Sequence, residues 1–294
     1  MSEPCQLWAR LLGRFPPHGV PFLPQEPPRA AGQPRRLALV LAYDGQDFAG
    51  WQVQPGARSV QGEVEAALGR LCGHPLRLAA SGRTDAGVHA LGQVASFDTP
   101  SRLGLEPLSL GLKALLPADI HLRALGPVAD DFHGRYSAQC KTYDYYLWPG
   151  GEAALFLRDR LWAYPRPLEA EPVRQALALL PGAQDLKALA SRGSEAGGST
   201  VREILEAGLE TWPEGLWRVR LTATGFLRHV VRNLVGALTQ VGSGRLPPSA
   251  LGEMLAAGQR LYAGPKALPG GLYLSRVYYQ PWPGAAGARG WQHR

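Results

Sequence analysis

The order of strand-like and helix-like segments between residues 37 and 125 limits the folds open to this chain more than any other feature. Leu37–Tyr43 is an almost continuous apolar run, which is typical of a buried strand. An amphipathic helix follows, because Ser59 can cap its first turn and Gly73 can end it. Two short alternating strands, a second helix and a strand at 120–125 complete the order β-α-β-β-α-β. This order predicts a ferredoxin-like unit.

The second half of the chain carries a similar succession of segments. Residues 132–148 are rich in aromatic side chains and are predicted to form one long strand, with Tyr143 and Tyr145 on the same face. A helix over 168–180, a strand over 217–224, a helix from Gly225 and a closing strand near 272–279 follow. We therefore expect a second ferredoxin-like unit.

Composition and charge indicate a globular protein with a polyanionic partner. Hydrophobic residues make up 45% of the 294 residues and charged residues 19%, as in ordinary soluble domains. The formal net charge is +7, and 27 of the 31 basic residues are Arg, which suits bidentate phosphate contacts. A GC-rich genome would raise Arg, Ala, Gly and Pro together, and this explanation of the Arg excess stays open.

Cysteine usage and hydropathy exclude several classes of protein. The three cysteines, Cys5, Cys72 and Cys140, are scattered and form no CxxC pair, which argues against a disulfide framework or a zinc site. No apolar run reaches membrane length. The sequence thus predicts a cytoplasmic protein that has no bound metal and no contact with a membrane.

Residues 81–90 concentrate more reactive side chains than any other stretch. They bring a carboxylate, a guanidinium, a hydroxyl and an imidazole into ten residues, with Gly82 and Gly87 on either side of Asp85. The flanking segments are predicted strands, so Asp85 lies on a loop that can expose its side chain. An ordinary turn would also use Asp and Gly, so the residue types alone do not decide between turn and site.

The amino-acid sequence of this loop resembles that of a known family. Residues 82–89, Gly-Arg-Thr-Asp-Ala-Gly-Val-His, are similar to the signature loop of the tRNA pseudouridine synthase A family. Three further segments support the resemblance, which extends from about residue 37 to 280: Tyr43–Gln52, Asp131–Tyr145 and Phe226–Asn233. Three positions depart from the family pattern: Val230 replaces a usual Met, and Leu186 and Leu189 replace an aromatic pair.

The resemblance implies a fold and a division of the chain. The fold would be α+β, the pseudouridine synthase fold, in which two ferredoxin-like halves share a mainly antiparallel central sheet with helices on one face and a central active-site cleft. We expect residues 1–35 to be a disordered extension and 36–130 to form the N-terminal subdomain with the Asp loop. Residues 131–280 would form the C-terminal subdomain, and 281–294 a flexible tail.

The resemblance also implies roles for individual residues. Asp85 would be the nucleophile, Arg232 would form an ion pair with it, and Tyr143 would stack on the flipped base and could shuttle a proton. Arg83 and Arg228 would bind the substrate; Arg228 is four residues from Arg232, so a helix would project both together. His89 is left without a role, and no cofactor or metal is expected.

The implied activity is the isomerisation of uridine to pseudouridine at positions 38, 39 and 40 in the anticodon stem-loop of tRNA, by a homodimer. Two alternatives stay open. A non-catalytic RNA-binding protein on the same fold would not need Asp85. A hydrolase would use Asp85 to cleave a glycosidic bond, although such enzymes usually pair two carboxylates across the bond.

Overall fold

A computed structural model describes residues 19–30, 32–151, 155–157, 159–191, 198–262 and 264–280. Within these ranges the strands are β1 (Arg35–Tyr43), β2 (Ala79–Ala80), β3 (His89–Thr99), β4 (Ile120–Pro127), β5 (Cys140–Pro149), β6 (Trp162–Tyr164), β7 (Gly182–Asp185), β8 (Val201–Thr211), β9 (Trp217–Ala223) and β10 (Leu272–Tyr278). The helices are α1 (Val60–Cys72), α2 (Leu105–Leu115), α3 (Ala170–Ala178), α4 (Val230–Gly242) and α5 (Ala250–Ala257).

All these strands belong to one sheet, ordered β4-β1-β3-β10-β5-β9-β8-β7, while β2 pairs with β3 and β6 with β5. Most neighbours are antiparallel, and the parallel pairs are β10 with β3 and β5 with β6. The mixed α+β fold with a mainly antiparallel sheet is therefore confirmed.

Each half of the sheet has the strand order of a ferredoxin-like unit. The first half runs β4-β1-β3-β2 and the second β10-β5-β9-β8. Strand β1 is buried along nearly its whole length because β3 and β4 flank it on both edges. The halves join where β10 lies parallel to β3, with Tyr273 opposite His89. This junction sets the residues just before β3 beside β5 and β10.

The helices begin and end where capping chemistry allows. The Ser59 hydroxyl accepts a hydrogen bond from the Gly62 amide, and Gly73 ends α1 in the left-handed conformation at φ 76°. Helix α4 is buried along its whole length. Position 236 requires glycine, because a Cβ there would lie 1.7 Å from the Pro265 carbonyl oxygen. The helix thus packs directly on the chain before β10.

Two elements differ from the sequence prediction. The strand predicted over 132–148 begins only at Cys140, because residues 133–137 form a turn in which the Ser137 amide donates to the His133 carbonyl. The helix predicted from Gly225 begins at Val230, because His229 has a positive φ of 66° and interrupts helical geometry. Both segments line the cleft between the two halves of the sheet.

The N-terminal segment was expected to be disordered over residues 1–35. Of these, residues 19–30 and 32–35 pack on the domain: Gly19 bridges to Tyr278, and the Leu23 amide donates to the Pro127 carbonyl at 2.8 Å. Arg35 hydrogen-bonds Glu26. Residues 1–18 and the predicted tail at 281–294 lie outside the described residues. Across the described ranges, no helix is long and apolar enough to cross a membrane.

Candidate active site

A cleft of about 1090 Å³ lies between the two halves of the sheet. The first half lines it with the chain around Trp51 and with the loop that links β2 to β3. The second half contributes the start of β5 and the segment that leads from β9 into α4. Polar and charged side chains dominate this wall, as expected for a surface that binds a charged polymer.

The loop that carries Asp85 is fixed against the segment before α1. The Thr84 carbonyl accepts a hydrogen bond from the Trp51 amide at 3.0 Å, and the Thr84 hydroxyl pairs with the Tyr43 hydroxyl at 2.8 Å. Gly50 allows this approach, because a Cβ there would lie 2.7 Å from the Thr84 oxygen. These contacts fix the backbone on the N-terminal side of Asp85.

The first residues of the loop are held from the sheet. The Gln93 side chain donates to the Gly82 carbonyl at 2.8 Å and accepts from the Ser81 hydroxyl at 2.7 Å. Lys141, at the start of β5, donates to the Ser81 carbonyl at 2.5 Å. Burial, with Arg135 and Arg202 nearby, lowers the pKa of Lys141 to about 8. A strand of the second half thus helps to position the loop of the first.

Asp85 faces three nitrogen-bearing side chains from the second half. Its carboxylate lies 3.2 Å from His229 Nε2, 3.8 Å from Arg228 Nε and 3.8 Å from Arg232 Nη1. The Asp85 side chain keeps 29% of its surface exposed to the cleft. The structure therefore brings the predicted carboxylate and the predicted arginines together at a point that a substrate can reach.

Arg232 and Arg228 reach Asp85 in different ways. Arg232 is 9% exposed, and its Nε donates to the Ala267 carbonyl at 2.8 Å, so its position is fixed. Burial lowers the pKa of Arg232, and the Asp85 charge opposes that effect. Arg228 is 69% exposed and precedes α4, so the expectation that a single helix projects both arginines is wrong. The backbone bend at His229 brings Arg228 to the same carboxylate.

His229 is the residue that the sequence reasoning missed. Its Nδ1 hydrogen-bonds the Ser191 hydroxyl, and its Nε2 is the nitrogen nearest to the Asp85 carboxylate. Burial lowers the pKa of His229, while the Asp85 charge raises it. Because Ser191 occupies Nδ1, Nε2 is the ring nitrogen that faces the Asp85 carboxylate. The spacing to Arg232, three residues away, was the available signal, and the positive φ that completes the geometry leaves no pattern in the sequence.

Tyr143 lines the cleft from β5 and packs edge-to-face on Phe226, with ring centroids 5.0 Å apart. Its side chain is buried, and burial raises the pKa of its hydroxyl well above the usual value, with smaller contributions from Tyr43 and Asp85. The phenol is therefore protonated at neutral pH. Phe226 lies in the segment that the sequence predicts to be the start of a helix; in the structure it precedes α4 and supports this ring.

Arg83 and His89 lie at opposite ends of the same segment and differ in environment. Arg83 is exposed and lines the cleft two residues before Asp85. His89 begins β3 in the core, where its ring stacks on Tyr273 at 4.7 Å. His89 Nδ1 lies 3.0 Å from Asp44 Oδ1, and this contact is the main reason why the pKa of Asp44 falls to about 2. His89 therefore belongs to the packing behind the loop.

The positions that depart from the family pattern have structural roles. Leu186 and Leu189 are buried in a 3₁₀ turn, and the Leu189 carbonyl accepts from the Asn233 side chain at 2.6 Å. Val230 is buried at the start of α4.

Among the described residues, no group of three His, Cys, Asp or Glu side chains could hold a metal ion.

Comparison with known proteins adds to this geometry. The chain matches the family described as "tRNA pseudouridine synthase" over residues 39–137 and 176–280. It is 42% identical to the tRNA pseudouridine synthase A of Geobacillus kaustophilus over 248 residues, which cover 84% of this chain and 95% of that protein. The proteins of the same name from Moorella thermoacetica and Myxococcus xanthus are 42% and 41% identical, over 83% and 85% of this chain and 99% and 94% of theirs.

Proposed function

This chain belongs to the tRNA pseudouridine synthase family, and from that premise we propose that it isomerises uridines 38, 39 and 40 in the anticodon stem-loop of tRNA, with Asp85 as the nucleophile. The reaction breaks the bond between the ribose C1′ and the base N1, turns the base over and joins C1′ to C5. The proton leaves C5 and N1 gains one, so no oxidant or reductant is consumed.

The observation that carries the proposal is the environment of the Asp85 carboxylate. It lies in the cleft, partly exposed, with His229 and two arginines within 4 Å. Opposite charges at this distance stabilise a carboxylate, and their attraction is strongest for the buried Arg232. Attack on C1′, addition to C6 and removal of a sugar proton all require such a charged and accessible carboxylate.

Tyr143 would support the uracil ring after it leaves its stack. Its ring borders the cleft near Phe226, an arrangement that suits packing against a planar base. Because the pKa of the phenol is raised, a role that requires the phenolate is disfavoured at neutral pH. Stacking is therefore the role we propose for Tyr143, in preference to the proton shuttle that the resemblance also allowed.

Base flipping costs a few kcal/mol, and exposed arginines of the cleft would offset that cost. Arg83 and Arg228 are both exposed and line the cleft, and Arg228 Nε lies 3.8 Å from the Asp85 carboxylate. We propose that they bind phosphates of the flipped nucleotide and its neighbours, because guanidinium groups bind phosphate in a bidentate manner.

The oligomeric state and the cellular location of the enzyme are a separate question. We propose a cytoplasmic homodimer in which both subunits contact one tRNA. Light scattering of the free protein and of its tRNA complex tests this part separately. A mass of two chains per tRNA is the expected result, and a single chain per tRNA would contradict it.

Tritium release from tRNA labelled at uridine C5, followed by mapping of pseudouridine, tests the activity. Release that maps to positions 38–40 is the expected result. Free uracil in place of pseudouridine would identify a hydrolase. tRNA binding without release or free uracil would identify a binding protein.

A further inference from the structure

A turn on the rim of the cleft carries three side chains that the proposed reaction does not use. His133, Arg135 and Tyr136 line the same cleft as Asp85. Tyr136 is 76% exposed, the highest exposure among the large hydrophobic side chains of the described residues. An exposed tyrosine alone needs no explanation, so the surroundings of this ring decide whether it marks a binding site.

Hydrogen bonds hold the backbone of the turn in a defined shape. His133 Nδ1 accepts hydrogen bonds from the Arg135 amide at 3.1 Å and the Tyr136 amide at 3.3 Å. The His133 amide donates to the Ser137 hydroxyl at 2.9 Å, and the Ser137 amide donates to the His133 carbonyl at 3.0 Å. The imidazole ring therefore organises the backbone that displays Tyr136.

Gly134 fastens this turn to the sheet. A Cβ at Gly134 would lie 2.2 Å from the Ala79 carbonyl oxygen, so only glycine permits the contact. The Gly134 amide donates to the Ser96 hydroxyl at 3.0 Å, and its carbonyl accepts from the Tyr279 hydroxyl at 2.7 Å. The turn is thus preorganised, and a ligand that binds to it pays little ordering entropy.

The exposed groups form a cluster of flat side chains. The His133 and Tyr136 rings lie 4.4 Å apart, and the Arg135 guanidinium carbon lies 5.6 Å from the centre of the Tyr136 ring. Rings with a neighbouring arginine are the surface on which proteins stack unpaired nucleobases. A duplex offers no free base face to such a surface, so the cluster favours single-stranded RNA.

Positive charge connects this cluster to the Asp85 loop. Arg135 is among the charges that lower the pKa of Lys141, and Lys141 binds the Ser81 carbonyl at the start of that loop. Arg83 lines the same cleft. A phosphate between the cluster and Asp85 would be attracted by all three cations.

We propose that His133, Arg135 and Tyr136, here called the rim platform, stack one unpaired nucleobase of the RNA that flanks the uridine bound at Asp85. Arg135 and Lys141 bind the intervening phosphate. The inference rests on the proposed function and extends it, since it assigns a second nucleotide site in the same cleft.

The test uses stem-loop RNAs that carry 2-aminopurine at each unpaired position in turn, bound to the full chain. At one position, stacking on Tyr136 should quench the fluorescence, and Tyr136→Ala should abolish the quenching while Tyr136→Phe retains it. Tyr136→Ala should weaken stem-loop binding about tenfold, the effect typical of one lost base stack. Binding of a fully paired RNA should be unchanged. Tyr262→Ala, which removes an aromatic ring outside the cleft, is the matched control.

Unchanged quenching and stem-loop affinity in Tyr136→Ala would overturn the platform, as would an equal loss on the paired RNA. These outcomes are independent of turnover. If the wild-type chain forms pseudouridine and Tyr136→Ala binds normally, only the platform fails. If Tyr136-dependent quenching occurs and no pseudouridine forms, only the proposed function fails.

Discussion

The two halves of the sheet share one strand order and differ in what their equivalent connections carry. In the first half, residues 81–88 join β2 to β3 and present Asp85 to the cleft. In the second half, residues 212–216 join β8 to β9 as a tight hairpin, closed by a 2.9 Å hydrogen bond from the Trp212 amide to the Leu216 carbonyl. Gly215 turns this hairpin at φ 97° and packs on Trp148. The same fold unit can therefore carry a reactive group or serve only to connect strands.

The second half contributes to the site from other positions. Tyr143 lies on its first strand, and the segment between β9 and α4 supplies Arg228 and His229. Helix α4 supplies Arg232, and its N-terminal end, where the helix dipole is positive, lies close to Asp85. One half thus supplies the Asp85 carboxylate, and the other supplies the three nitrogen-bearing side chains that face it.

The largest expected effect is the loss of the carboxylate. Asp85→Asn keeps the size of the side chain and removes its charge, so we expect turnover to fall at least about a thousandfold while tRNA still binds. Tritium release and filter binding measure the two quantities. Asp47→Asn, at an exposed aspartate of the same half, should retain wild-type activity. Retained activity in Asp85→Asn would contradict the proposal that the first half of the sheet supplies the nucleophile.

The second prediction separates the two arginines that face Asp85. Arg232→Lys loses both the planar guanidinium and the bond to the Ala267 carbonyl, so we expect kcat to fall about a hundredfold with little change in tRNA affinity. Arg228→Lys, at an exposed position, should lower tRNA affinity severalfold and change kcat less. Kinetics at saturating tRNA distinguish the cases. Equal kinetic losses in both variants would contradict the distinction based on burial.

A third prediction concerns His229 as a positioning residue. His229→Ala removes the nitrogen 3.2 Å from Asp85 and should lower kcat about tenfold, as expected for the loss of one polar contact to a charged group. His229→Asn should recover part of the loss, because Asn tolerates a positive φ and can donate from its amide. Thermal melting of both variants shows whether strain at φ 66° contributes. If Asn behaves like Ala in kcat, the polar contact with Asp85 has no kinetic role.

The smallest expected effect is a pH-dependent change in stability at Lys141. Its pKa of about 8 in the folded chain lies below its ordinary value in the unfolded chain. Between about pH 8 and 10 the unfolded chain binds more protons at Lys141 than the folded chain does. As the pH increases through this range, the free energy of unfolding of the wild type should therefore rise relative to that of Lys141→Met. Urea unfolding across this range measures the difference. Lys113→Met, at an exposed position on α2, should show no such trend, and a flat difference for Lys141→Met would contradict the burial of its charge.

Much of the fold follows from patterns that are local in the sequence. The apolar run at Leu37–Tyr43 and the caps at Ser59 and Gly73 indicated β1 and α1, and the structure has both. The proximity of Asp85 and Arg232 followed from resemblance, since they are 147 positions apart and no periodicity connects them. Their assigned roles stay predictions.

Other features depended on tertiary contacts that no local pattern records. The aromatic segment after Phe132 is predicted as a strand, and the docking of Gly134 on Ala79, together with the hydrogen bonds of His133, makes its first part a turn. The segment before Arg35 is rich in Pro, Gly and Arg, but Val20 is buried and Arg35 bonds Glu26. His229 shows its function only once the bend in the backbone is known.

The most direct test of the relation between the halves is a double-mutant cycle with Asp85→Glu and Arg232→Lys, measured as single-turnover rates of tritium release. Asp85→Glu keeps the charge and moves it by one methylene, so we expect a reduced rate that single-turnover conditions can follow at high enzyme concentration. If Arg232 acts through Asp85, the double variant should lose less than the product of the single losses, with a coupling energy of about 1 kcal/mol or more. Strictly additive losses would contradict the claim that one half positions the carboxylate of the other.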